Sequence, residues 1–592
     1  MGTGMTRRLP PKDVVVVGLG WTGSIMSLEL ARSGLAVVAL ERGPWRDTAT
    51  DFNIGTAPDE LRYGVRHEIF LRPTQETLTM RNTPAQVALP IRRWGSFLPG
   101  NGVGGAGVHW NGQTWRFAPD DFRLRSRLTE RYGAPFLPDG HQIQDWPVTY
   151  DELEPSYDRF ERLCGISGEA GNIGGVLQGG GNPFEGPRAR GYPTRPMQQG
   201  HAQNLFTTAA RGMGLHPFPR PSANLSEAYT NPYGCRMAPC TYCGFCERFG
   251  CANYSKASPQ ACVLPALVRE PQFEARTECE VTRVVLSRDG THATGVMYMD
   301  RHGQEWEQPA ELVVLCAYSL FNVRLMLLSG IGQPYDFDRG EGVVGRNYAY
   351  QTGTGATGFF NDTRFNPFAA AGSIGVIADD YNSDNFDHGP HGFVGGASIG
   401  SGGTNGRPIQ YHPVPPGTPA WGSAWKRAVQ ANYQRVASVD AQGSVMSYRD
   451  SFLDLDPTYK DPLGRPLMRM TFDYHDNERR MANWMADRCN ELALAMGAKQ
   501  TALRRLAGPW SVVPYQSTHN TGGAVMGADR RTSAVNRYLQ SWDVPNVFVT
   551  GASAFPQNPG YNPTGTVGAL TYWALDAIRD KYLKSPGPLV PA

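Results

Sequence analysis

The chain runs to 592 residues, 40% of them hydrophobic and 19% charged, with a formal net charge of +2. That length calls for two domains rather than one core, and so small a net charge excludes a nucleic-acid surface as the organising feature. No apolar run approaches the roughly eighteen residues of a membrane span, and MGTGMTRRLPPKD has no apolar segment after its arginines, so no cleavable signal peptide is expected.

The first predicted unit is DVVVVGLGWTGSIMSLELARSGLAVVALERG, Asp13 to Gly43, read as strand, tight turn, helix and second strand. Val14 to Val17 form the β-branched run of a strand buried on both faces. Gly18, Gly20 and Gly23 fit G-x-G-x-x-G, for the turn, for the approach of a pyrophosphate and for close helix–strand packing. The helix N-terminus near Thr22 offers free N–H groups to that phosphate. Glu41 closes the second strand 23 residues after Gly18, where a carboxylate accepts ribose hydroxyls and disfavours a 2′-phosphate. NADP is thereby disfavoured, while NAD and FAD stay open. Strand, helix and acid in register make a plain βαβ unit the weaker reading.

GNGVGGAGVHWNGQTWR, Gly100 to Arg116, is a glycine-rich loop that passes through Gly104 and Gly105 to His109 and Trp110. GCRMAPCTYCGFCERFGC, Gly234 to Cys251, then gathers Cys235, Cys240, Cys243, Cys246 and Cys251. Disulfides suit small exported domains, and C-x-x-C-x-x-C is too compact for the two separated knuckles of structural zinc. Three thiolates at i, i+3 and i+6 with one more nearby suit an iron–sulfur cluster. Cys164, Cys262, Cys279, Cys316 and Cys489 read as small buried hydrophobes.

Cys279 to Ala317 alternates like a β-meander with D-G and H-G turns, then returns to the parallel sheet. A helix follows, with Tyr318 at the turn. Residues 346–507 are expected to hold a second sheet, with a helix over Asp476 to Gly497 on its outer face. The Gly- and Pro-rich run Gly395 to Trp421 reads as an exposed connection. STHNTGGAVMGAD, from Ser517, carries His519 in a glycine turn. NVFVTGASAFPQNPGYNPTGTVGAL then gives a strand, a turn at Gly551 and Ala552, a loop with Asn562 and Pro563, and a helix from about Thr564.

These stretches, in this order over nearly the whole chain, resemble the glucose–methanol–choline (GMC) family of FAD oxidoreductases. The resemblance implies FAD, with its adenosine on the N-terminal unit and its ring against a substrate-binding sheet. It implies catalytic roles for His519, as the base taking the hydroxyl proton, and for Asn562, which orients that hydroxyl. A neutral imidazole suits that step. The helix after Asn562, Pro563 and Thr564 would direct its positive end at the flavin. In relatives with a GG…HW loop the matching histidine is bonded to the flavin, which makes His109 the candidate for a covalent link. Many members carry a glycine where this chain has Tyr318.

Within the family, the cysteine stretch resembles the iron–sulfur subgroup, the flavoprotein subunits of bacterial membrane-bound dehydrogenases for sugars and sugar acids, and most of all the gluconate 2-dehydrogenase type. That resemblance implies a 3Fe-4S cluster on Cys240, Cys246 and Cys251, with Cys243 as the extra thiol; a four-iron cluster stays open. It also implies a small subunit with a twin-arginine signal, a membrane-anchored multihaem cytochrome c subunit, and a place on the periplasmic side of the inner membrane. D-gluconate, oxidised to 2-dehydro-D-gluconate, is the favoured substrate; its carboxylate would want an arginine near the flavin, and Arg346, Arg407 and Arg435 lie in the substrate half with nothing in the sequence to place any of them in the pocket. The alternatives are a neutral sugar or glucoside dehydrogenase (glucoside 3-dehydrogenase, fructose or sorbitol type) and a non-catalytic FAD and iron–sulfur electron-transfer subunit.

The expected fold class is α/β. A Rossmann-like FAD-binding domain takes 12–125, 235–345 and 508–592, with the iron–sulfur loop at 234–262. A substrate-binding domain with a mainly antiparallel sheet takes 126–234 and 346–507.

Overall fold

The computed structural model describes residues 6–52, 69–71, 77–92, 97–403, 409, 411–512 and 518–591. Strand β1 (Lys12–Val17), helix α1 (Trp21–Arg32) and strand β2 (Val37–Leu40) form the N-terminal unit. Helix α2 (Tyr150–Cys164) and the short strand β3 (Phe218–Pro219) follow. Next come β4 (Phe273–Arg276), β5 (Cys279–Leu286), β6 (Ala293–Asp300), β7 (Glu305–Leu315) and α3 (Ser319–Ser329). The later elements are β8 (Thr352–Phe359), β9 (Gly375–Ala378), β10 (Ala397–Gly402), β11 (Val436–Gly443), α4 (Asp476–Ala495), β12 (Gln500–Arg504), β13 (Val547–Val549) and α5 (Thr564–Ala577).

The first sheet has a parallel half in the order β4-β2-β1-β7-β13. Val14–Val17 and Val37–Leu40 are buried throughout, as strands covered on both faces require. β7 serves three of these strands. Its first half pairs antiparallel with β6, and its second half lies between β1 and β13. The β5-β6-β7 meander expected from the D-G and H-G turns is therefore present, and it feeds the parallel sheet directly.

The second sheet is antiparallel throughout, in the order β12-β8-β11-β10-β9-β3. One face carries Ile399, Val439 and Ala441 into a core with Met481, Met485, Cys489 and Leu492 of α4. The period of two in a strand turns Ser398, Gly400, Asp440 and Gln442 to the other face, where they line a cavity. This mixed α/β architecture is the expected fold class.

Helix α2 lies within the stretch 126–234 that the sequence reading gave to the substrate half, yet its core is shared with the first sheet. Tyr157 and Phe160 join the cluster that holds β1 and α5, and the Tyr157 hydroxyl lies 2.7 Å from Thr566 Oγ1. A Cβ on Gly568 of α5 would stand 2.2 Å from the Phe160 ring, so glycine is what lets the two helices approach. Thr149 and Glu152 close a capping box at the start of α2.

Candidate active site

A cavity of about 560 Å³ is lined from both sheets. Its first wall is the β1–α1 turn. Gly18 has φ +95°, and a Cβ there would lie 2.8 Å from the Cys316 carbonyl oxygen. A Cβ on Gly23 would lie 1.9 Å from the Gly18 oxygen, so this glycine packs the helix on the strand and does not itself line the cavity. At Gly20, by contrast, a Cβ would meet no protein atom within 4 Å. The turn therefore leaves open space in front of an α1 N-terminus that has no side-chain cap, which is the cradle a pyrophosphate needs. Glu41 accepts the Leu19 N–H at 3.0 Å and the Gly43 N–H at 2.9 Å. These bonds fix its carboxylate at the cavity wall in the position for a ribose.

Gly105, His109, Trp110, Gly551, Ala552, Asn562, Pro563 and Thr564 line the same cavity, whereas Gly104 turns the chain behind it with φ +94°. Helix α5 begins there without a side-chain cap, its free N–H groups facing the cavity. His109 is buried, and among the described residues its Nε2 has no hydrogen-bond partner. Burial, then the nearby Lys256 cation, push its imidazole down to about 3. These features fit a bound FAD.

On the facing wall His519 and Asn562 meet, with Asn562 Nδ2 3.2 Å from His519 Nε2. The surrounding amides set the roles. Gln351 Nε2 donates to the carbonyls of Pro559 and Tyr561, both at 2.6 Å, which leaves Gln351 Oε1 as the acceptor for His519 Nδ1. The proton thus sits on Nδ1, and the Nε2 lone pair faces Asn562. Asn562 Oδ1 in turn accepts from Trp115 Nε1 at 3.0 Å and Gln442 Nε2 at 3.3 Å, so its Nδ2 is the donor. A base and a hydrogen-bond donor stand side by side, spaced to share one hydroxyl. Burial pushes His519 down to about 3, so the imidazole is neutral.

Tyr318, where a glycine was the sequence expectation, adopts φ 76° and ψ 153°. A side chain held there costs on the order of 1–3 kcal/mol. What holds it is the loop carrying the base: the Tyr318 hydroxyl donates to the Thr518 carbonyl at 2.8 Å and accepts from Asn520 Nδ2 at 2.7 Å.

The cysteine stretch is bonded to the back of this wall. The Arg248 N–H donates to the His109 carbonyl at 2.7 Å, and Lys256 Nζ donates to the Trp110 carbonyl at 2.6 Å. Cys246 is buried, and Cys240, Cys243 and Cys251 are partly exposed. Burial, then the neighbouring Cys246 thiol, push Cys240 up to about 12. Cys235 lies apart in the main core. Among the described residues no three His, Cys, Asp or Glu side chains converge tightly enough to hold one metal ion. An iron–sulfur cluster makes no such demand, because its thiolates bind different irons.

Over 598 aligned residues the chain is 50% identical to the gluconate 2-dehydrogenase flavoprotein of Pantoea cypripedii, covering 100% of this chain and 97% of that one. The chain belongs to the GMC oxidoreductase family. Its C-terminal and N-terminal family models match residues 447–571 and 191–352. It is also 25% identical to the fructose dehydrogenase large subunit of Gluconobacter japonicus, over 96% of this chain and 97% of that one. The crystal structure of pyridoxine 4-oxidase from Mesorbium loti shares the fold, with a TM-score of 0.56 at 16% identity over 96% of this chain and 99% of that one. GMC membership makes the chain an FAD-dependent enzyme that oxidises alcohols. Among the described residues no helix is long and apolar enough to cross a membrane.

Three residues of this GMC site escaped the sequence reading: Gln351, Trp115 and Gln442 fix the protons of the His519–Asn562 pair, yet an isolated Gln or Trp carries no sequence signal. The sequence placed none of the substrate-half arginines in the pocket, and the structure agrees for two of them. Arg346 bonds Gln142 Oε1 at 2.7 Å, Arg435 bonds the Asn361 carbonyl at the surface, and neither lines the cavity; Arg407 and Ser517 lie outside the described residues. Arg220, just after β3, does line it. Its guanidinium packs over Gly375 and Gly402, and its buried Nε has no hydrogen-bond partner. Burial pushes it down to about 10.

Proposed function

We propose that the chain is the catalytic flavoprotein subunit of a bacterial membrane-associated dehydrogenase that oxidises D-gluconate to 2-dehydro-D-gluconate. The observation that carries this reading is the Nε2 lone pair of His519 beside the Nδ2 donor of Asn562, 3.2 Å apart at the cavity wall. Asn562 Nδ2 donates to the substrate hydroxyl oxygen and orients it, while His519 Nε2 takes the hydroxyl proton. Gln351 Oε1, on the other ring nitrogen, supports the imidazolium that results. The Gly18–Gly23 turn, Glu41, Gly105, Trp110 and the Gly551–Ala552 turn would hold FAD, which when bound would supply the acceptor for the hydride leaving carbon. The α5 N-terminus favours negative charge at that end of the cavity. His109, with its unpartnered Nε2, is the residue assigned to a covalent flavin link. Arg220 adds a positive charge without an ion partner among the described residues, which favours a sugar acid over a neutral sugar.

A cluster on Cys240, Cys246 and Cys251, of the 3Fe-4S type, would supply a one-electron exit from the site. The reading includes the domain division given by the sequence, with helix α2 moved to the FAD-binding side, a small twin-arginine-signal subunit, a multihaem cytochrome c subunit in the membrane, and a periplasmic location. It is supported by the full-length likeness to a gluconate 2-dehydrogenase flavoprotein. Purified protein assayed with an artificial electron acceptor, in air and under argon, against gluconate, 2-ketogluconate, fructose, glucose and a glucoside, tests it. The expected result is dye reduction with gluconate at equal rates in both atmospheres and no oxygen uptake. Turnover of a neutral sugar or glucoside alone moves the substrate to the runner-up class, and oxygen-dependent turnover refutes the dehydrogenase reading.

A further inference from the structure

Lys256 is 0% exposed. Its ammonium spends its three protons on backbone carbonyls, those of Trp110 at 2.6 Å, Cys246 at 2.7 Å and Phe249 at 2.8 Å. Among the described residues it makes no ion pair. Its hydrogen bonds therefore neutralise no charge, and a buried cation left in that state is costly. Two of the carbonyls belong to the cysteine stretch and the third to the loop lining the flavin cavity, so one side chain braces the two together. The titratable groups that face it are the thiols of Cys246, Cys251 and Cys243, then Glu247; His109 and the Arg248 guanidinium lie on the same side of the cavity. The thiols themselves accept hydrogen bonds. The Tyr242 N–H reaches Cys240 Sγ at 3.4 Å, and Asn224 Nδ2 reaches Cys246 Sγ at 3.5 Å. Donors aimed at sulfur and a fixed cation beside it are the surroundings that an anionic sulfur centre needs, and that neutral thiols do not.

We propose that Lys256 is the resident counter-charge of the cysteine loop, a positioning residue that holds the loop against Trp110 and raises the readiness of an iron–sulfur centre there to accept an electron. This rests on the cluster assigned above. The chemistry is that of a fixed charge: a cation close to the centre stabilises its reduced, more negative state and so raises its potential. Nζ touches the Trp110 carbonyl of the cavity loop as closely as it touches the two carbonyls of the cysteine stretch, so the flavin midpoint is followed alongside that of the cluster.

The test uses the complete enzyme, with iron and acid-labile sulfide quantified and the cluster potential followed by redox titration under EPR, in wild type, Lys256→Gln and Lys256→Arg. In K256Q the cluster midpoint falls, and in K256R, which keeps the charge, the cluster titrates near the wild-type value. A K256Q midpoint equal to wild type overturns the proposal. Should K256Q fail to accumulate, K256R still decides: a folded, flavin-loaded K256R that lacks the cluster, or titrates far from wild type, shows that shape and not charge matters and overturns it. Wild-type protein free of iron and sulfide overturns the cluster reading itself, an outcome distinct from either variant result.

Discussion

His519→Ala lowers kcat/KM for D-gluconate by about 10²–10⁴-fold, the range a positioned general base contributes, or roughly 3–5 kcal/mol of transition-state stabilisation. FAD content stays at the wild-type level, because the cofactor cradle is built from the β1–α1 turn, Glu41 and α5. The proton bookkeeping sharpens this. Burial pushes His519 down to about 3, so the working neutral form persists through the range in which an ordinary histidine near 6.5 would take up a proton. As pH falls, kcat/KM of the wild-type enzyme therefore holds through 6.5 and drops only well below it. Steady-state kinetics of the variant and a pH profile of the wild type check both statements. Full activity in H519A, or an acid limb at the ordinary histidine value, removes the base assignment and strengthens the electron-transfer reading.

Cys246→Ser is expected to abolish the proposed iron–sulfur cluster. Cys246 is the buried one of the four proposed ligand cysteines, and its sulfur is the one that receives the Asn224 donor, so a serine there leaves that donor without a sulfur to stabilise. Iron and sulfide analysis should fall to background. Reduction of the flavin by gluconate survives, while transfer to a one-electron cytochrome acceptor is lost. Cys262→Ser, in the main core, keeps its iron and serves as the control. Cys243→Ser separates the two cluster types, since a three-iron centre on Cys240, Cys246 and Cys251 survives it and a four-iron centre loses a ligand. Iron retained in C246S contradicts the assignment of this loop.

The legible parts of the molecule were those whose physics is local. Val14–Val17, the three glycines and Glu41 lie within one βαβ unit, so spacing alone places a turn, a helix end and an acid around a phosphate. The β5-β6-β7 meander declared itself by alternation and D-G and H-G turns, and α4 by its helical period. Long-range partners were not legible. Gln351 and Asn562 are 211 positions apart in sequence (562 minus 351), and nothing at either end announces that one side chain orients the ring the other touches. Arg220 carried no signal because β3 is only two residues long, and the arginines that looked available, Arg346 and Arg435, are bound elsewhere. Lys256 carries no signal in the sequence, and only its burial among carbonyls reveals its place. Helix α2 was assigned by position along the chain, whereas its partner, Gly568, comes from the far end.

The decisive measurement is anaerobic mixing of the purified protein with D-gluconate, with and without deuterium at C2, while the flavin absorbance is followed. Bleaching in a single turnover, slowed by the deuterium, is the result expected if His519 and Asn562 deliver the C2 hydroxyl for oxidation at the flavin. An unbleached flavin, or bleaching at the same rate with both substrates while deuterium at another carbon slows it, would contradict oxidation of gluconate at C2.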